Sequence, residues 1–165
     1  MDAYSTTNWG LAFTATAGAS AALTGLIFVA LSINLKQVVA TPGLVARAIE
    51  VIVLLTSALI ISTLLLMPGQ TVDADATEVL TVAIAVGVTL LVIHVRTDRK
   101  ALGIGRFQFG MRIVGSQMGP VFLLIGGVSL FVQNGGGLYW VAPALLAAMV
   151  AAIIGAWVLL VEIVR

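Results

Sequence analysis

Residues 45–67 read VARAIEVIVLLTSALIISTLLLM, and this segment decides the fold of the chain. Its only charged residues, Arg47 and Glu50, lie near its start. A turn signal, TPG, occupies residues 41–43, and a helix stop signal, PG, occupies residues 68–69. A predominantly apolar run of roughly 20 residues spans a bilayer as a helix. The segment therefore predicts a transmembrane helix with defined ends.

The rest of the chain repeats this pattern. Of the 165 residues, 61% are hydrophobic and 9% are charged, whereas a soluble domain carries about 25% charged residues. The mean hydropathy is +1.17, and no connection is long enough to form a soluble domain. We therefore expect an all-α polytopic transmembrane helix bundle that forms a single domain over residues 1–165. Its expected spans, about five in number, are residues 11–35, 45–67, 78–95, 113–132 and 141–161.

The basic residues predict the orientation. With five spans, the first loop, the third loop and the C-terminus share one side of the membrane. That side carries all eight Lys and Arg residues: Lys36, Arg47, Arg96, Arg99, Lys100, Arg106, Arg112 and Arg165. The positive-inside rule then places the N-terminus outside and the C-terminus inside. Residues 1–8 contain no Lys or Arg, so we interpret the first stretch as a retained span and not a signal peptide.

Small residues form stripes on two predicted helices. The first helix carries Thr14, Gly18, Ala21 and Gly25 on one face, and Ser32 continues this row after Phe28. The last helix carries Ala144, Ala148, Ala151 and Gly155. Such stripes let helices approach closely in membranes. We interpret them as packing within the chain, and a neighbouring subunit is the alternative for the first stripe.

The predicted fourth span begins with a GxxxG pair, Gly115 and Gly119, followed by Pro120. Close packing is the expected role of both glycines. The proline leaves two alternatives open, a continuous helix and a helix broken near Pro120.

Three acidic residues precede the third span. Asp75 and Glu78 have the spacing of a capping box at a helix start. A cation site built from Asp73, Asp75 and Glu78 is the alternative, although three carboxylates fall short of the 6–8 oxygens that calcium prefers.

Several polar residues map to one depth near the inner leaflet: Asn34, Glu50, His94, Gln117 and Glu162. Pairing of the carboxylates with Arg47, Arg96 or Arg112 is the expected role of this cluster. A gate or permeation ring in an oligomer is the alternative. The loop from Arg96 to Arg112 mixes basic and apolar residues, so it either sets the topology alone or also binds anionic lipid.

The sequence argues against several classes of function. His94 is the only histidine and there is no cysteine, so we expect no disulfide, no metal and no other cofactor. A net charge of +1 does not favour nucleic-acid binding. The motifs HExxH, GxSxG and GxxxxGK[ST] are missing, and we therefore expect no enzymatic activity.

Two stretches of the chain are familiar: residues 18–35, GASAALTGLIFVALSINL, and residues 137–162, which begin GLYW and end AWVLLVE. Together with LMPGQ at residues 66–70, they resemble a poorly characterised family of small, actinobacterial-type, multi-span bacterial membrane proteins. The resemblance implies a location in a bacterial plasma (inner) membrane. Some members of that family carry an automatic label as modulators of the FtsH membrane protease. The resemblance directs attention to Asn34, Gln70 and Glu162, the polar residues within these stretches.

These patterns together predict a non-enzymatic integral membrane protein that acts through assembly, either by self-association or as an accessory subunit of a membrane complex. The expected partners are the lipid bilayer and other membrane proteins, a second copy included. The alternative is a homo-oligomeric ion channel or small-solute pore, with the inner-leaflet carboxylates near the path.

Overall fold

The computed structural model describes residues 2–41, 43–97 and 105–164. Two short 3₁₀ turns, Asp2–Tyr4 and Thr6–Trp9, lead into helix α1, Gly10–Ile33. The remaining helices are α2, Leu35–Ala40; α3, Leu44–Leu64; α4, Val72–Arg96; α5, Arg106–Val132; and α6, Leu138–Val164. Among the described residues, α1, α3, α4, α5 and α6 are long and apolar enough to cross a membrane. The predicted all-α bundle of five spans is confirmed.

Four of the helices form a ring, in which α3 packs on α4, α4 on α5, α5 on α6 and α6 on α3. Helix α1 lies outside the ring and packs chiefly against α3. At the end of the bundle where α1 begins, which we call the N-terminal end, Phe13, Ile61 and Leu130 belong to one buried apolar cluster. At the opposite, C-terminal end, Leu44 and Leu90 belong to a second.

Helix α4 begins earlier than the hydropathy pattern predicted. Thr71 is its N-cap residue, with an extended backbone and a side-chain oxygen that accepts a hydrogen bond from the Ala74 amide at 3.3 Å. Thr71 thereby satisfies one of the amides left unpaired at a helix start. The predicted capping box at Asp75 and Glu78 is therefore wrong, and both residues lie inside the helix.

Helix α5 runs without interruption from Arg106 to Val132, with Pro120 inside it. Pro120 is buried and packs beside Gly87 of α4, where a Cβ on Gly87 would lie 3.5 Å from the proline Cβ. Transmembrane helices tolerate a proline where a neighbouring helix packs against it. Of the two alternatives for the fourth span, the continuous helix is the one present.

The glycines of the GxxxG pair have different surroundings. A Cβ on Gly119 would lie 3.3 Å from the Ala148 Cβ of α6, so α5 and α6 approach closely there. No such contact occurs at Gly115, which lacks any atom within 4 Å of a built Cβ. The prediction that Gly115 is a close-packing residue is therefore wrong for this chain.

The two small-residue stripes also differ. Ala144 and Ala148 of α6 are buried, and a Cβ on Gly155 would lie 2.7 Å from Val51 of α3. Gly18, Ala21 and Gly25 of α1 are exposed. The interpretation that the α1 stripe packs within the chain is wrong, because α1 turns the face of Phe13 and Ser20 toward the bundle instead.

Candidate functional site

A buried polar cluster joins three helices at the C-terminal end of the bundle. Glu50 lies in the second turn of α3, His94 in the last turn of α4 and Arg112 in the second turn of α5. Glu50 and His94 are 6% and 5% exposed. The antiparallel course of successive helices brings one polar residue from each to the same depth.

Arg112 neutralises Glu50 directly. Its Nε donates to Glu50 Oε2 at 2.8 Å, and its Nη2 donates a second, shorter hydrogen bond to the same oxygen. Hydrogen bonds between ionised partners are about twice as strong as neutral ones. The pair compensates for the cost of burying either charge alone.

His94 completes the cluster from α4. Its Nδ1 lies 2.6 Å from the Leu90 carbonyl oxygen, which can only accept, so Nδ1 carries a proton. Its Nε2 faces Glu50 Oε1 at 3.6 Å, which is too long for a direct hydrogen bond. Phe109 of α5 packs edge-on against the imidazole ring. The ring is thus fixed in orientation from two sides.

The other residues predicted for this cluster lie elsewhere. Asn34 caps α1 and donates to the Ala30 carbonyl within its own helix at 2.9 Å. Gln117 donates across to the Gly87 carbonyl of α4 at 3.4 Å. Glu162 is exposed near the end of α6, where it interacts electrostatically with Arg47. The structure therefore brings Glu50 and His94 together and leaves the other three residues outside the cluster.

A cleft of about 360 Å³ lies beside the cluster, between α3, α5 and α6. Arg47, Glu50 and Arg112 line it together with Gly115 and with apolar side chains of α6. Gly115, which has no side chain, thus borders the open space of the cleft. The predicted lipid-binding loop is described only in part, since residues 98–104 lie outside the described residues, and Arg106 to Arg112 belong to α5.

The N-terminal end of the bundle holds a second polar region, which is anchored by the start of the chain. The Tyr4 hydroxyl accepts a hydrogen bond from the Gly136 amide at 3.0 Å. A Cβ on Gly137, where φ is +46°, would lie only 2.1 Å from the Ala3 carbonyl oxygen. The segment before α1 therefore packs directly on the turn between α5 and α6, and glycine is required at position 137.

Gln70 and Glu78 form a hydrogen bond in this second region, with Gln70 Nε2 donating to Glu78 Oε1 at 2.9 Å. Asp75, one turn before Glu78, is 5% exposed. The sequence predicted Asp75 at a helix cap. Its spacing of three residues from Glu78 was the sequence signal that both side chains lie on one face of a helix. In the described parts of the chain, no group of three or more His, Cys, Asp or Glu side chains could hold a metal ion by itself.

No family model, curated protein or solved structure matches this chain. The resemblance to small multi-span bacterial membrane proteins stays a prediction from the sequence stretches that suggested it.

Proposed function

We propose that this chain is a non-enzymatic membrane protein that functions through assembly, and that α1 forms the contact with a second copy of the chain. The observation that carries the proposal is the small-residue face of α1, defined by Thr14, Gly18, Ala21, Gly25 and Ser32, all of which are exposed. A Cβ built on Gly18 or Gly25 meets no atom within 4 Å. The backbone of α1 is therefore open to close approach by another helix.

This face differs from the other exposed faces of the bundle. Helices α4, α5 and α6 expose large aliphatic side chains, such as Val88, Val128 and Ile153. Lipid chains cover such surfaces well, whereas a face of small residues offers less side-chain surface and a groove for a neighbouring helix. In α1 only 6% of the most apolar stretch is buried, against 28% or more in each of the other spans.

The chemistry of the face favours a second copy of the same chain. Helix α1 contains no charged residue, so it offers no electrostatic feature for a different partner to recognise. The hydroxyls of Thr24 and Ser32 donate to carbonyls of their own helix. A two-fold axis beside α1 would pair the face with itself, each groove receiving the other helix.

Cysteine cross-linking tests this contact cleanly, because the natural chain has no cysteine. Ala21 lies near the middle of α1 and is exposed on the small-residue face, while Ala22 is equally exposed but turned about 100° away. We expect Ala21→Cys to form a disulfide-linked dimer in membranes on mild oxidation, and Ala22→Cys to form little. Equal cross-linking of the two variants, or none of either, would contradict the proposal.

A second experiment separates assembly from folding. A Cβ on Gly25 meets no atom within 4 Å, so we expect Gly25→Leu to fill the groove without disturbing the fold of the chain. We expect this variant to keep the wild-type helix content while its mass in nanodiscs falls from dimer to monomer. Leu26→Ala removes bulk from the adjacent, exposed position and serves as the control, since it should leave the dimer intact.

A homo-oligomeric pore is the second candidate, and the exposure of Glu162 favours it. Glu50 is enclosed by Arg112 and His94, so Glu162 is the carboxylate available to a path at a symmetry axis. A closed oligomer of four or more copies, with flux reduced by Glu162→Gln, would support the pore over the dimer.

A further inference from the structure

Four side-chain oxygens at the N-terminal end of the bundle are buried without a hydrogen-bond partner among the described residues. One is Ser62 Oγ of α3, and the other three are Gln70 Oε1, Asp75 Oδ1 and Glu78 Oε2. Buried polar atoms of this kind are rare in folded proteins, because leaving one unpaired costs about 1–3 kcal/mol and more if it is charged. These last three acceptors lie in the turn after α3 and in α4. A single ligand bound to all three would satisfy them together.

Two of the three residues line a cavity. Gln70 and Asp75 border a partly open space of about 590 Å³, whose other walls come from the turn after α3 and from the segment before α1. The residues of that segment that line the cavity include Tyr4, Ser5, Thr6 and Thr7. A space of this size holds an ion together with several waters, since each water occupies about 30 Å³.

The orientation of the Gln70 amide points to a cation. Its Nε2 donates to Glu78 Oε1, and the reverse orientation would set the amide oxygen against a carboxylate. The amide oxygen is therefore left as a free acceptor beside two carboxylates. Asp75 and Glu78 also repel each other, and a positive charge between them would remove that repulsion.

The described part of the chain supplies no basic side chain to this end. The eight Lys and Arg residues fall at positions 36, 47, 96, 99, 100, 106, 112 and 165, and those within the described helices belong to the C-terminal end of the bundle. Glu50 receives Arg112 there, whereas Asp75 receives no such partner within the described residues. A cation from solution would supply the counter-charge that the described residues do not give to Asp75 and Glu78.

We propose that this cavity binds a hydrated divalent cation, with Asp75, Glu78 and Gln70 as its protein ligands. Mg²⁺ is commonly held by one or two carboxylates while it keeps several waters, which matches two carboxylates, one amide oxygen and a roomy cavity. The requirement for water also agrees with the lack of a group of three acidic or histidine ligands among the described residues. The site lies at the end of the bundle and does not involve the small-residue face of α1.

The test uses the full-length chain, purified in mild detergent and treated with a chelator. Its thermal unfolding is followed while MgCl₂ or CaCl₂ is raised from about 0.01 to 20 mM, the range that spans weak extracellular sites, with KCl at equal ionic strength as the blank. We expect a saturable rise in melting temperature with a divalent cation and none with KCl. No saturable rise, or the same rise with KCl, would overturn the proposal.

The chain offers a matched pair of variants. Asp73 and Asp75 lie in the same first turn of α4, but Asp73 is exposed, so Asp73→Asn removes the same charge without touching the cavity. Loss of one charged ligand should weaken binding by about tenfold or more. We expect Asp75→Asn to show that loss and Asp73→Asn to keep the wild-type affinity within about twofold.

Equal weakening in both variants would indicate general screening of the helix start and would overturn the site. If Asp75→Asn fails to fold, Gln70→Ala replaces it, because Gln70 lies in the turn and outside the helix interior. Wild-type affinity in Gln70→Ala and in Asp75→Asn alike would refute the assigned ligands, whatever the outcome of the cross-linking on α1.

Discussion

Glu50 shows how a charged residue can lie within a membrane-spanning helix. It accepts two hydrogen bonds from Arg112 and faces His94, so three helices meet on one carboxylate. A buried ion pair of this kind contributes little net stability, whereas removal of one partner is costly because the remaining charge is buried and unpaired. The cluster therefore acts mainly as a constraint on how α3, α4 and α5 are aligned.

Removal of both partners should cost less than the two single removals added together. We expect Glu50→Gln and Arg112→Gln each to lower the free energy of unfolding by about 3 kcal/mol, since each leaves a buried charge unpaired. The double variant should lose less than the sum by about 1–3 kcal/mol, because its two amides can bond to each other. Denaturant unfolding in detergent micelles measures all three.

Glu162→Gln is the matched control for this cycle, because it removes an exposed carboxylate at the same end of the bundle. We expect a change within about 0.5 kcal/mol. Additive losses at Glu50 and Arg112 would show that the two residues are not coupled, and the cluster would then have no role in aligning the helices.

The sequence predicted the depth of Glu50 and His94 and made Arg112 one of three candidate partners for the carboxylates, but it did not show which arginine Glu50 would bind. Depth follows from the distance of a residue to the end of its helix, which hydropathy shows. The direction in which a side chain points around the helix depends on how the helices pack, and no pattern in one sequence carries that. Asn34 and Glu162 were assigned the right end of the bundle, yet Asn34 bonds to its own helix and Glu162 is exposed.

At the scale of the helices, hydropathy located each span but placed two starts several residues late. Polar and acidic residues at the start of α4 lowered its apparent apolarity, although Thr71 begins the helix by capping it. Basic residues did the same at α5, which begins at Arg106. Helix ends are decided by backbone hydrogen bonding, whereas hydropathy reports only the solvent that surrounds the side chains.

The packing of α4 against α5 rests on Gly127. A Cβ there would lie 2.6 Å from Leu80 Cγ and 3.2 Å from the Leu80 backbone nitrogen. We expect Gly127→Ala to lower the free energy of unfolding by about 1–3 kcal/mol through overpacking. Gly115→Ala lies in the same helix with open space around it, and should be neutral or stabilising by about 0.5–1 kcal/mol. Thermal unfolding of the two variants side by side checks the assignment, and equal effects would contradict it.

The stripes on α1 and α6 both consist of small residues but have opposite surroundings. Gly155 of α6 lies against Val51, whereas Gly25 of α1 lies against nothing in the same chain. Position around the ring explains the difference, since α6 has neighbours on two sides and α1 contacts chiefly α3. A stripe of small residues therefore predicts a close contact with another helix, but it does not predict whether that helix belongs to the same chain.

At the scale of the whole molecule, the two ends of the bundle have opposite chemistry. The described C-terminal end holds arginine side chains around Glu50 and the cleft, while the N-terminal end holds acidic residues and hydroxyls around a polar cavity. This asymmetry could be predicted from the positions of the basic residues alone. It is a feature of topology, because each span carries the chain to the other side and successive loops therefore lie at opposite ends of the bundle.

The orientation itself stays a prediction, and single cysteines in this cysteine-free chain can test it. Asn134 lies in the exposed turn between α5 and α6, and Phe107, 80% exposed, lies at the start of α5 on the opposite end. Because the positive-inside rule retains basic ends in the cytoplasm, we expect a membrane-impermeant maleimide to label Asn134→Cys in intact cells and Phe107→Cys only after lysis. The reverse labelling pattern would show the opposite orientation, with the acidic cavity on the cytoplasmic side. Labelling of both variants in intact cells would place both ends of α5 on the same side and would contradict a membrane-spanning α5.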